Sequence, residues 1–149
     1  MRLDAADARR RFASVPVARL ATAGPDGRPH VVPFTFAVGA AGDGEPGWGD
    51  RIYSAVDAKP KSSRDLRRLR NIRANPQVAV LADHYEDDWD SLWWVRADGQ
   101  AILLDEPAAM APALALLAER YPQYREQPPA GPVISIDVSR WTGWAAGPA

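Results

Sequence analysis

A chain of 149 residues with 46% hydrophobic and 25% charged residues has the size and composition of a single globular domain, here taken as residues 1–149. It has no cysteine and only two histidines, His30 and His84, which excludes disulfides, zinc ribbons, iron–sulfur clusters, thiol nucleophiles and any three-histidine metal site within one chain. The net charge of -1 argues against a general nucleic-acid binder.

The opening MRLDAADARRRF carries charge where a secretory signal needs an apolar run, and no stretch approaches the length of a membrane span. A cytoplasmic protein with no membrane partner is expected. Asp4 followed by AADARRRFASV predicts a short capped helix, with Leu3, Phe12 and Val15 available to pack it. Val17–Ala23, the turn Gly24–Gly27 and Pro29–Val38 predict a hairpin, because Gly-Pro-Asp-Gly supplies the dihedrals of a tight reversal. Ala40–Gly49 is too rich in glycine for an element interior, and Arg51–Val56 returns as a third strand.

Arg64–Asn75 places Leu66, Leu69 and Ile72 along one helical face, with Ser63 as the expected N-cap and Asn75-Pro76 as the stop. QVAVLADHY reads as a strand and EDDWD as an acidic turn. SLWWVRADGQAILL reads as one long strand, or as two broken near Asp98-Gly99. Pro107–Tyr121 predicts an amphipathic helix, QYREQPPAGP a connector, and Val133–Trp144 a closing strand. Six or seven strands in hairpin order with two or three short helices favour a small antiparallel barrel over a doubly wound sheet.

Three groups of residues carry chemical interest. Both lysines of the chain, Lys59 and Lys61, stand with Ser62, Ser63 and Arg64 ahead of the arginine-rich helix. Ammonium groups and backbone N–H groups at a helix start suit a phosphate. A solvated basic loop with a capping serine uses the same residues. The segment from Lys59 to Arg73 holds seven positive residues and one negative, which suits a polyanionic ligand or a solvated helix face. Next, Pro29 and Pro33 in one strand imply an edge or a bulge, leaving unpaired backbone groups near Val31 and Val32 that can meet the rim of a flat heterocycle. Finally, Trp93 and Trp94 on one strand must face opposite sides, so only one enters the same core. The acidic turn Asp83–Asp90 lacks the ligand spacing of a calcium loop. No metal site and no protein nucleophile are assigned.

Taken in order, LATAGPDGRPHVVPFTFAV, IYSAVDAKPKSSRDLRRLRNIRANPQVAVLAD, DWDSLWWVRADGQA and ISIDVSRWTGW resemble the pyridoxamine-5'-phosphate-oxidase-like split β-barrel superfamily. The nearest resemblance is to its actinobacterial branch of deazaflavin (coenzyme F420) dependent enzymes. The resemblance implies a homodimer with a flavin-type cofactor in each of two clefts, contacted from both chains. Carried over by position, Val31, Val32 and Pro33 would line the ring, and Ser54 with the backbone around Ala55 would lie near the ribityl chain. Lys59, Lys61 and Ser62 would hold the phosphate. Trp94 or Trp93, Arg96 and Trp141 of the neighbouring chain would close the cleft. The substrate-phosphate Arg and His signature of the founding oxidase is absent from Asp137–Trp144, which argues against pyridoxamine phosphate oxidation. The implied function is hydride transfer between F420 and a small organic substrate, which needs positioning and exclusion of water more than a protein nucleophile. The arginine face favours F420, with its oligoglutamate tail, over FMN. An FMN-binding protein on the same barrel is the alternative, and a non-catalytic flavin or haem module with His30 or His84 as axial ligand is a third reading.

Overall fold

In the computed structural model, which describes residues 1–40, 49–56 and 66–147, seven strands form one antiparallel sheet. In chain order the elements are α1 (Ala5–Ser14), β1 (Ala18–Ala23), β2 (Pro29–Phe34), β3 (Ala37–Ala40), β4 (Asp50–Ala55), α2 (Arg67–Ala74), β5 (Gln77–His84), β6 (Trp93–Leu104), α3 (Pro107–Arg120), α4 (Pro122–Glu126) and β7 (Val133–Ala145). The strands lie side by side as β2-β1-β5-β6-β7-β4-β3.

That order dictates a barrel. The two edge strands, β2 and β3, are joined by only Thr35 and Phe36, and three peptide links reach at most about 11 Å. Six strand spacings in a flat sheet would hold them about 29 Å apart. The sheet must curl until its edges meet, yet β2 and β3 share no ladder among the described residues, so the barrel is split along that seam. The stretch Pro29–Val38, expected as one strand, is therefore two strands with a corner between them. The corner is held from outside. The Phe36 N–H donates to the Tyr121 hydroxyl at 3.0 Å, and that hydroxyl lies 2.9 Å from the carbonyls of both Phe36 and Pro16. Thr35 Oγ1 and the Tyr124 hydroxyl are 2.8 Å apart. The Arg120 guanidinium sits 4.9 Å over the Phe36 ring and donates to the carbonyls of Ala13 and Val15.

Local sequence accounts for the remaining elements. Asp4 caps α1 by accepting from the Asp7 N–H at 2.8 Å. The hairpin turn closes through Gly27 N–H to Gly24 C=O at 3.0 Å, with Gly27 at φ 73° where a side chain would be strained. The arginine helix begins at Arg67, not at the expected Arg64: Leu66 is extended and holds the N-cap position with no side-chain cap, so only Leu69 and Ile72 of the expected apolar face lie within the helix. Leu66 therefore stands where Ser63 was expected as the cap; Ser63 itself, like Lys59, Lys61 and Ser62, lies outside the described residues. Part of the expected connector after α3 is helical, as α4, and the acidic turn contains one 3-10 turn, Trp89–Ser91.

Two apolar clusters follow from strand alternation. Leu20, Phe34, Phe36, Ile52, Val80, Val95, Ile134 and Ile136 fill the barrel, plugged by Phe12 of α1 and by Leu69 and Ile72 of α2. On the outer side of β3 and β4, Tyr53, Ala55 and Val133 pack beneath Met110, Ala113 and Leu117 of α3. The outward face of β2, β1 and β5, continued on the first half of β6, carries no described helix.

β6 runs unbroken for twelve residues, and the irregularity expected near Asp98-Gly99 is a bulge in its pairing with β7. Asp98 stands opposite Arg140 and Gly99 opposite Val138, so Ser139 is extra, its hydroxyl donating to the Asp98 carbonyl at 3.0 Å. A Cβ on Gly99 would lie 2.3 Å from the Asp137 carbonyl oxygen.

Tyr121→Phe leaves the buried Phe36 N–H without an acceptor and should lower the unfolding free energy by about 1–3 kcal/mol. Gly99→Ala should cost a comparable amount, about 1–3 kcal/mol, because backbone rather than a movable side chain blocks the added methyl. Urea unfolding with unchanged slope would register both losses.

Candidate functional site

Strand register decides which of the residues singled out from the sequence share a surface. Pairing β1 with β2 sets Ala21 opposite Val31 and Arg19 opposite Pro33, while β5 sets Leu81 opposite both Arg19 and Arg96. β6 and β7 then place Arg96 opposite Thr142 and Trp94 opposite Trp144. Val31, Pro33, Trp94 and Arg96 consequently point to the same outward face. Val31 is 60% exposed, and Leu81 and Trp144 are also exposed on this side. Its charges are arranged in pairs: Arg19 with Asp83 at 3.7 Å, and Arg96 Nε with Asp98 at 3.2 Å.

The edge strand β2 has a further property. Proline is accommodated where its missing N–H would face away from the ladder. Pro29 and Pro33 hold such positions on either side of Val31, so by alternation Val31 presents an amide to the open edge of the sheet. Val32 has the opposite parity. Its side chain packs against the barrel core, and its backbone N–H and C=O turn toward β1 rather than to the open edge.

The two tryptophans separate as alternation demands. Trp93 packs on the barrel core beneath the Arg11 guanidinium, 5.8 Å from its ring centroid, whereas Trp94 lies outside. Trp141 also points inward: its ring meets Phe12 edge-on at 5.3 Å, and its indole N–H donates to Asp50 Oδ2 at 2.9 Å. Asp50 accepts a second bond from Arg9 Nε at 2.8 Å, so Trp141 is held in a link between α1, β4 and β7. Ser54 faces the barrel interior with Ile52 and Val56, and Ala55 lies beneath α3. Neither side chain reaches the face of Val31 and Trp94.

At the far end of that face, α2 meets the β1–β2 turn. Asn71 Nδ2 donates to Thr22 Oγ1 at 3.0 Å within the interior, and Gly24 leaves room for Asn71, since a Cβ there would lie 2.6 Å from Asn71 Oδ1. Pro25, Asp26, Arg67, Arg70, Asn71 and Ala74 line an open depression of about 480 Å³. Arg67 reaches Asp26 across it at 3.6 Å. His30, opposite Thr22 and half-buried, keeps Nδ1 buried without a hydrogen-bond partner. His84, at the other end of the sheet, lies 3.3 Å from Glu86. No group of three or more metal-ligating side chains gathers among the described residues, and no described helix is long and apolar enough to cross a membrane.

Sequence reasoning missed Trp144 and Leu81 as members of the outward face, and Asn71 as the buried link beneath the depression. Trp144 was hidden by the bulge at Ser139, which reverses the side-chain alternation of β7 between Val138 and Arg140.

Comparison with solved structures places the chain among proteins of one fold. A protein described as FAD-binding from Mesorhizobium loti superposes with a TM-score of 0.68 at 21% identity, over 96% of this chain and 93% of its own. A conserved protein from Mycobacterium tuberculosis gives a TM-score of 0.68 at 24% identity, over 97% and 86%. A heme storage protein from Vibrio cholerae gives 0.67 at 16%, over 95% and 93%. No curated protein sequence matches at a significant level. The family model described as pyridoxamine 5'-phosphate oxidase matches residues 5–145, and with the seven-stranded split barrel built above, the chain belongs to that family and has its fold.

Proposed function

We propose that the protein is an oxidoreductase that binds the deazaflavin F420 between two copies of the chain and transfers hydride to or from a small organic substrate. The observation that carries the reading is the shared outward face of Val31, Pro33, Trp94 and Arg96, contributed by strands β2 and β6 at opposite sides of β1 and β5. Three strand spacings separate β2 from β6, about 14 Å, too far for one tricyclic ring to rest on both within a single chain. A second copy packed on this face supplies the missing wall, so the homodimer is part of the proposal.

The residues present fit such a group. Val31 and Pro33 offer an apolar surface beside an edge-facing amide, suited to the rim of a planar heterocycle that carries both carbonyl oxygens and apolar carbons. Trp94 of the second copy shields the ring from water, and Arg96, steadied by Asp98, sets positive charge where negative charge develops. Lys59, Lys61 and Ser62 hold the phosphate. The deazaflavin supplies the hydride chemistry when bound; the chain supplies binding, orientation and dryness.

Two observations bear on cofactor choice. The family relatives from Mesorhizobium loti and Mycobacterium smegmatis are described as FAD-binding, which supports a flavin-type ring. The depression lined by Arg67 and Arg70 supports a ligand with a polyanionic extension, which F420 has in its glutamate tail and FMN lacks. Fluorescence titration of purified protein with F420, FMN and FAD in turn is expected to show micromolar retention of F420 and weaker retention of the other two. Retention of FMN with rejection of F420 would make it an FMN protein. The Arg67→Glu, Arg70→Glu double variant should weaken F420 by about tenfold, equivalent to about 1.4 kcal/mol, and a tail-less analogue by much less. Equal losses would remove the tail from the argument.

A further inference from the structure

We propose that the acidic tip joining β5 to β6 is a docking element for a second copy of this chain, seated on the arginine-bearing end of the partner's barrel. This rests on the two-copy reading above and adds to it the orientation of the copies and the residues that set it.

The tip runs from Tyr85 to Leu92 and carries Glu86, Asp87, Asp88 and Asp90. It is built rather than loose. Asp88 accepts from the Asp90 N–H and from the Ser91 hydroxyl, both at 3.1 Å. Trp89 projects from it 75% exposed, and Tyr85 63% exposed, two large aromatic groups with nothing over them among the described residues. Such side chains are the usual anchors of protein interfaces. Asp87 and Asp90 form no ion pair with any described residue.

The opposite end of the same sheet has the opposite sign. Arg28 follows the β1–β2 turn, and α2 contributes exposed Arg73 with no acidic residue in its first turn, beside Arg67, which is paired with Asp26. Arg28 and Arg73 likewise form no ion pair among the described residues. β5, eight residues from Gln77 to His84, separates the two ends by about 26 Å, so one chain cannot bring its own tip to its own arginines. A second copy can.

Two face-to-face arrangements with two-fold symmetry are available to the uncovered sheet face. An axis parallel to the strands sets tip against tip and arginine end against arginine end, juxtaposing like charges. An axis lying across the strands sets each tip on the partner's arginine end, and symmetry makes the favourable contact twice. Trp89 and Tyr85 then meet guanidinium groups, which stack well on aromatic faces. The charge distribution selects the second arrangement.

Sedimentation velocity over a range of concentrations tests it in the full-length protein. Wild type is expected to be a dimer whose dissociation constant rises with salt. The tip variant Asp87→Arg, Asp90→Arg and the end variant Arg28→Asp, Arg73→Asp should each raise that constant by about tenfold or more. Mixing the two variants should restore wild-type affinity, because in the heterodimer both tip-to-end contacts again join opposite charges. That rescue also excludes misfolding as the cause of either loss. A wild-type dimer whose constant neither reversal changes, or variants that mixing fails to rescue, would overturn the docking of the tip and leave the two-copy cofactor site standing. A wild type that stays monomeric at all concentrations would overturn both.

Discussion

The two-residue connection between β2 and β3 governs this molecule. A chain that leaves one edge of a seven-stranded sheet and starts the other edge after Thr35 and Phe36 leaves the sheet no freedom to lie flat. Curling has a cost, since a corner without a ladder strands the amide of Phe36 in the interior. The chain meets that cost with a side chain from far away in sequence: Tyr121 both receives the amide proton and faces two carbonyls. Arg120, its neighbour, ties the same corner to the end of α1. Helices α1, α3 and α4 are thus fastened at one point, where the barrel would otherwise spring open. The outward face that carries the candidate site exists because all of this fastening lies on the other side.

Much of the architecture was legible in the sequence because its signals are local. Asp4 ahead of a charged helix, Gly-Pro-Asp-Gly between apolar runs, and the spacing of Leu69 and Ile72 each act within a few residues, and each element formed where those signals stand, though the arginine helix starts at Arg67 and leaves Leu66 extended at its N-cap. The corner at Thr35-Phe36 was not legible. Its determinant is the Tyr121 hydroxyl, 85 residues away, and nothing in PHVVPFTFAV marks a break after Phe34. The edge placement of β2 was legible, because two prolines can be tolerated only where no ladder partner needs their N–H.

The candidate site shows the same division. Alternation along Trp93-Trp94 requires one indole to point away from the core but does not say which one; the packing of Trp93 beneath Arg11 decides it. Val31 and Pro33 share a face by parity alone, whereas their relation to Trp94 and Arg96 depends on β1 and β5 lying between them. Trp141 was read as a residue of the cleft for its position on the closing strand. Its commitment to Asp50 and Phe12 depends on contacts from α1 and β4, which no pattern within β7 reveals. Electrostatics was legible in composition and illegible in consequence: the acids of the tip and the arginines of α2 are plain in the sequence, but their placement at opposite ends of one sheet is a property of the fold.

The additional residue in β7 opposite Asp98 works as a reading frame for side-chain direction. Upstream of Ser139, even-numbered residues point into the barrel; downstream, odd-numbered ones do. Were the same residues threaded through an unbulged ladder, Thr142 and Trp144 would turn inward and Trp141 and Ala145 outward; the bulge absorbs the extra residue, so Arg140 and everything after it keep the sides that a regular ladder without Ser139 would give them. A family member lacking Ser139 would keep both surfaces, whereas one that kept the residue without the bulge would exchange the lining of the barrel for its wall along the C-terminal stretch.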